Sequence, residues 1–170
     1  LVLDEATSQL DPRGAAEVFE VLRALDIHLV NVTLGSPYYN PHVGRPYERP
    51  PAGVLPPDEH PLEGVSRALS LVEHLQTHLP DLPVVGFAYT WLRNYAPFAA
   101  ASNISRGAVS LAGFGRMAFA YPDFARDILE RGHLDKKKVC VCCSLCSEAM
   151  AQGRNTGCFV RDKDVYTVRR

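Results

Sequence analysis

The sequence predicts an α/β fold built on a parallel sheet. Three short runs rich in branched or small apolar residues carry this prediction: HLVNVT at 28–33, PVVGFA at 83–88, and Ala108 to Ala112. Between them lie stretches with apolar residues at helical spacing. Strands that alternate with helices in this way are joined by right-handed crossovers, in an open doubly wound sheet or in part of a closed barrel. Three strands cannot by themselves close a barrel of eight.

Taken in order, Asp11-Pro12 caps and starts a helix that the spacing of Val18, Val21, Leu22 and Leu25 extends from about Pro12 to Leu25. The first strand follows and ends at Gly35. The next stretch, SPYYNPHVGRPYERPPAGVLPPDEHP, is too dense in Pro, Gly and Tyr to form a regular element through most of its length. A loop this long inside a compact domain is usually functional. Leu62, Val65, Leu69, Val72, Leu75 and Leu79 then restore a helical stripe, with Pro61 in the first turn. After the second strand, Trp91 to about Ser102 is helical, with Leu92, Tyr95, Phe98 and Ala99 on one face and Pro97 as the kink or break. The third strand runs into Gly113-Phe114-Gly115-Arg116, and Tyr121-Pro122 starts a last helix with Phe124, Ile128 and Leu129 inward.

Composition narrows the function classes. The 170 residues fit one domain with enough apolar content for a core. Eighteen Lys and Arg against nineteen Asp and Glu leave no strong field to gather nucleic acid or hold an anionic membrane. No apolar run approaches the roughly 20 residues of a spanning helix, and the start lacks a secretory pattern, so a cytoplasmic location is the default expectation. The first residue is Leu, and the chain is read as part of a longer parent.

The opening LVLDEATSQLDPRG resembles the second acidic motif and following loop of the ABC-type ATPases, with Asp4 at the magnesium-holding position and Glu5 at the water-activating one. Such a site also needs a GxxxxGK[ST] phosphate loop, and this chain contains none. In that family a His follows the next strand. Here Leu34 holds the position, and the nearest candidate is His42. The alternative is a short apolar segment before a capped helix.

From Ile27 onward, VNVTLGSPYYNPHVGRP, PVVGFAYTWL, GFGRMAFAYPD, CVCCSLC and GCFVRD resemble the flavin-binding barrels of the Old Yellow Enzyme family. The likeness is to the NADH:flavin oxidoreductases with a Cys-rich tail, a branch that includes the dienoyl-CoA reductases, and it spans about residues 27–166. It implies a partial TIM (β/α)8 barrel, namely the last three strand-helix units plus a Cys-rich C-terminal segment, with the N-terminal part of the barrel missing from this chain. The expected organisation is a helix with an ATPase-like start over 1–26, a partial flavin-binding barrel over 27–132, and an iron-sulfur segment over 133–170.

Barrel active sites sit at the C-terminal ends of the strands, and phosphate groups commonly bind the loops after strands seven and eight. Gly113 and Gly115 follow a strand and let backbone amides approach a phosphate, while Arg116 adds a positive fork. The resemblance makes this half of an FMN phosphate site, with the other half around Gly86, Ala88 and Tyr89. Many relatives carry a Gly-Gly pair there, where this chain has Phe87-Ala88-Tyr89. Tyr38, Tyr39, Asn40 and His42 would lie over the flavin ring or at the substrate mouth, or form a packed loop. The groups that bind the substrate carbonyl or donate its proton in this family come mostly from earlier strands, so no catalytic residue is assigned.

Cys140, Cys143, Cys146 and Cys158 are spaced C-x2-C-x2-C-x11-C, a pattern that wraps an iron-sulfur cube. Zinc is the rival ligand, and buried unligated thiols are the third reading. Cys142 stands where related reductases commonly have Gly. The resemblance favours a [4Fe-4S] cluster, FMN, and NAD(P)H as co-substrate, in an enzyme that reduces the activated C=C bond of a small-molecule enone or dienoyl substrate. The alternatives are a fragment of an ATP-hydrolysing transport subunit and a structural zinc module.

Overall fold

The computed structural model describes residues 2–3, 17, 20–35 and 40–166. Strand β1 (Val2–Leu3) is followed by helix α1, helical at residues 17 and 20–24, and by β2 (Val30–Val32). The long loop contains one turn of helix, α2 (Pro41–Gly44), before α3 (Pro61–His78) and β3 (Val84–Gly86). A 3-10 segment (Tyr89–Tyr95), α4 (Ala96–Ser105) and β4 (Leu111–Ala112) complete the alternation. Three short helices follow: α5 (Arg116–Ala120), α6 (Phe124–Arg131) and α7 (Leu145–Ala151).

The strands form one open sheet in the order β1-β2-β3-β4, and every neighbouring pair is parallel. Val30 pairs with Val84, and Val85 with Leu111. The expected parallel α/β arrangement is present. A closed barrel is not: the sheet has two free ends among the described residues. β1 adds a strand to the three expected and brings the first residues into the same sheet.

The core follows from the alternation of apolar faces. Val30, Val32 and Val84 pack against Val72, Leu75 and Leu79 of α3, with Leu22 of α1 and Val109 completing the cluster. Leu22, from the segment before residue 27, is part of this cluster. Burying such a side chain fully is worth about 1.5–3 kcal/mol, so α3 is the principal helix beneath the sheet. Its start is fixed locally, since Leu62 N–H donates to His60 Nδ1 at 3.2 Å while His60 N–H donates to Glu63 Oε1 at 3.2 Å. That reciprocal pair satisfies two otherwise orphaned donors.

Several expectations need correction. Pro97 does not kink a helix: it sits in the first turn of α4, where its missing N–H costs nothing, and the break lies upstream at Arg93, with φ 56°. The break turns Tyr95 and Phe98 outward, 70% and 57% exposed, while Leu92 and Ala99 face the cluster of Tyr89, Ala96 and Ala100. Leu129 is 87% exposed because α6 packs through Phe124 and Ile128 against Met117 and Tyr121. The strands are also shorter than their apolar runs, with Leu111 rather than Ala108 opening β4.

Leu75→Ala should cost about 2–5 kcal/mol of stability through lost burial and a cavity, whereas Leu129→Ala should change it by no more than about 0.5 kcal/mol. Urea unfolding of the two variants measures the difference.

Candidate functional site

Because β2, β3 and β4 run parallel in matched register, the loops leaving their C-terminal ends converge. Between them lies a cavity of about 430 Å³, walled by the ends of those strands and by Gly44 and Arg45 at the end of α2. Ala88, Gly113, Gly115 and Arg116 all line it.

The two glycines serve different ends. Gly113 N–H donates to Gly86 O at 2.7 Å, and a Cβ on Gly113 would stand 2.9 Å from that oxygen, so the close approach of β4 to β3 demands glycine. A Cβ on Gly115 would meet nothing within 4 Å. Its backbone faces open space rather than a packing partner.

Two arginines, Arg45 and Arg116, line the cavity. Arg116 Nη2 donates to Pro46 O at 2.7 Å, which leaves Nη1 buried without a partner. Arg45 Nη1 donates to the Ser147 hydroxyl on α7, and its Nε is also buried without a partner. Among the described residues no carboxylate lines the cavity. Burial first, then the neighbouring Arg116 charge, pull the Arg45 pKa below its ordinary value. A buried donor without an acceptor costs roughly 1–3 kcal/mol, more when charged, and an anion would remove that cost.

Gly86 and Tyr89 lie apart from this cavity. Gly86 is wedged between Val109 and Tyr89, where a Cβ would come within 2.9 and 3.1 Å of their side chains. Left-handed Ala88, with φ 69°, turns the chain inward, so the Tyr89 ring is buried 5.8 Å from that of Phe114, and its hydroxyl accepts from Asn103 Nδ2 at 3.0 Å. Burial raises the Tyr89 pKa. Asn40 and His42 line a different cavity, of about 600 Å³, which shares no lining residue with the first. There His42 Nε2 lies 3.7 Å from Glu59 Oε1, and Arg67 clamps both Glu59 oxygens at 2.6 and 2.7 Å. Those Arg67 hydrogen bonds hold Glu59 below the usual carboxylate range. Tyr38 and Tyr39 fall outside the described residues, as do Asp4 and Glu5.

All five cysteines line one small cavity of about 20 Å³, together with Arg116 and Arg161. Cys142 is fully buried in a left-handed conformation, φ 54°. Its N–H donates to Cys140 Sγ at 3.4 Å, and its thiol proton has two acceptors in reach, the Cys140 sulfur and the Thr90 carbonyl at 3.9 Å. The Cys142 thiol, then its N–H and the charges of Arg116 and Arg161, bring the Cys140 pKa down to about 6, against the opposing effect of burial. Donation to Cys140 and burial push Cys142 up, and burial does the same to Cys146. As the thiols lie, no three His, Cys, Asp or Glu side chains among the described residues form a metal-ligating group. The space holds about one water, so a cluster would require the sulfurs to move apart.

Arg45 is the participant that sequence reasoning missed. It sits in the Pro-rich loop between Gly44 and Pro46, with nothing in its spacing to mark it. Gly113→Ala should lower stability by about 1–3 kcal/mol because backbone must shift, while Gly115→Ala should stay within about 0.5 kcal/mol of the parent. Thermal and urea unfolding of both variants would test the distinction.

Compared with family models, with curated proteins and with solved structures, the chain gives no match.

Proposed function

We infer that this chain is the C-terminal part of an FMN-dependent NAD(P)H oxidoreductase of the Old Yellow Enzyme type, acting on activated C=C bonds. The observation that carries the reading is Arg116, which lines a cavity at the C-terminal ends of parallel strands, keeps a buried Nη1 without a hydrogen-bond partner, and stands next to Gly115, where a Cβ would meet open space. That edge is where parallel α/β proteins bind phosphorylated ligands. The sequential strand order, with each strand added beside the last, suits a sector of a (β/α)8 barrel, whereas a doubly wound sheet reverses at its switch point.

FMN, when bound, would take hydride from NAD(P)H and pass it to the substrate double bond. The part played by these residues is binding: Arg116 and the backbone of Gly115 would hold the phosphate, Gly113, whose N–H is taken by Gly86 O, sets the close strand approach beside it, and Ala88 borders the same cavity. For a [4Fe-4S] cluster the support is the shared cavity of Cys140, Cys143, Cys146 and Cys158, and the two arginines there, whose charge offsets that of an anionic cluster. ATP hydrolysis has less support, because Leu34 is buried at the position where the phosphate-contacting His is needed.

A charge-assisted contact to phosphate is worth about 1.5–3 kcal/mol, so Arg116→Ala should weaken FMN binding by roughly tenfold to more than a hundredfold and leave riboflavin binding unchanged. Arg116→Lys should recover only part, because an ammonium lacks the bidentate fork. Fluorescence titration with both flavins gives the answer, and equal loss for the two would remove phosphate from the site.

Anaerobic reconstitution with iron and sulfide should load the protein, and Cys140→Ser, Cys143→Ser, Cys146→Ser or Cys158→Ser should each release the iron. Cys142→Ser should retain it. Zinc bound without sulfide, or iron lost only in the Cys142 variant, would overturn the cluster assignment.

A further inference from the structure

We propose that Arg45 is the second guanidinium of the anion site, and that the Arg45–Arg116 pair selects a doubly charged phosphate monoester over a singly charged diester. This rests on the phosphate-binding reading of Arg116 above. Both arginines line the same cavity, each anchored to a neutral oxygen, Pro46 O for Arg116 and the Ser147 hydroxyl for Arg45. Each keeps a buried N–H without a partner, and neither pairs with a carboxylate among the described residues. The other described residues lining the cavity are uncharged. Two like charges in a half-buried space need two negative charges to balance them. A dianion supplies both, whereas a monoanion leaves one guanidinium uncompensated.

The anchors make the pair selective rather than merely attractive. Pro46 directly follows Arg45 in sequence, so the carbonyl that holds Arg116 and the side chain of Arg45 belong to adjacent residues at the end of α2. Ser147 is buried on α7, one residue after Cys146. Arg45 thereby ties the loop after β2 to the Cys-rich segment, and both guanidiniums are positioned before the ligand arrives.

Calorimetric titration of the purified protein at pH 8 with methyl phosphate, a dianion, and dimethyl phosphate, a monoanion, tests the pair. The protein should bind methyl phosphate at least tenfold more tightly. Arg45→Gln should reduce that preference to about twofold or less, and Arg45→Lys should keep most of it. If Arg45→Gln preserves the preference while Arg116→Ala abolishes binding, the Arg45 assignment fails and the phosphate reading stands. If Arg45→Lys loses the preference as fully as Arg45→Gln, charge pairing is wrong as its basis. If the unsubstituted protein binds neither ester, both readings fall.

Discussion

The buried side chain of Gln76 fixes the geometry on which the rest of the molecule depends. Its amide donates to Leu79 O at 2.8 Å and Leu82 O at 3.2 Å, and its carbonyl oxygen accepts from Val84 N–H at 3.1 Å and the Ser110 hydroxyl at 2.8 Å. One residue of α3 therefore ends its own helix, shapes the turn into β3 and holds the entry to β4. All the polar capacity of a buried amide is used, which is the condition under which such a group stabilises rather than destabilises a core.

Setting the strand entries also sets the strand exits. Val30 N–H donates to Pro83 O at 2.9 Å and Ser110 N–H to Val84 O at 3.1 Å, so β2, β3 and β4 begin in fixed relation and end side by side. The loops after them must then share one space. Arg116 belongs both to the larger cavity at those ends and to the small thiol cavity, so its charge acts on two neighbouring sites at once.

The Cys-rich segment is held against the sheet by ordinary packing and a few backbone contacts. Leu134 and Val139 join Met117 and Tyr121 in one cluster, Glu48 N–H donates to Cys142 O at 3.2 Å, and Arg161 donates to Val139 O at 2.8 Å. Tyr121 donates to the buried Asp127, which also receives Arg131 at 3.5 Å and stabilises the turn into this segment. Left-handed Cys142 and Ser144 let the chain fold back tightly enough for five sulfurs to share a wall. Non-glycine residues adopt that conformation only where the surroundings enforce it.

Periodicity alone determined the α/β class, the parallel alternation, the span of α3 within a residue or two, and the approach of Gly113, Gly115 and Arg116 to one strand end, because each depends on local spacing. The clustering of the cysteines was legible for the same reason. Tertiary structure decided what spacing does not encode. Gln76 is no part of the apolar stripe read from the sequence, and its role exists only once the strands that need its amide stand beside it. Leu129, Tyr95 and Phe98 read as core, yet only the helix ends and the break at Arg93 determine which way they turn. Gly86 and Tyr89 read as ligand contacts; the inward turn at Ala88 places the Tyr89 ring in the core beside Gly86 and outside the cavity at the strand ends. Arg45 carries no signal in the sequence, and it lines the cavity only because α2 brings it to the strand ends, where its Nε is buried without a hydrogen-bond partner.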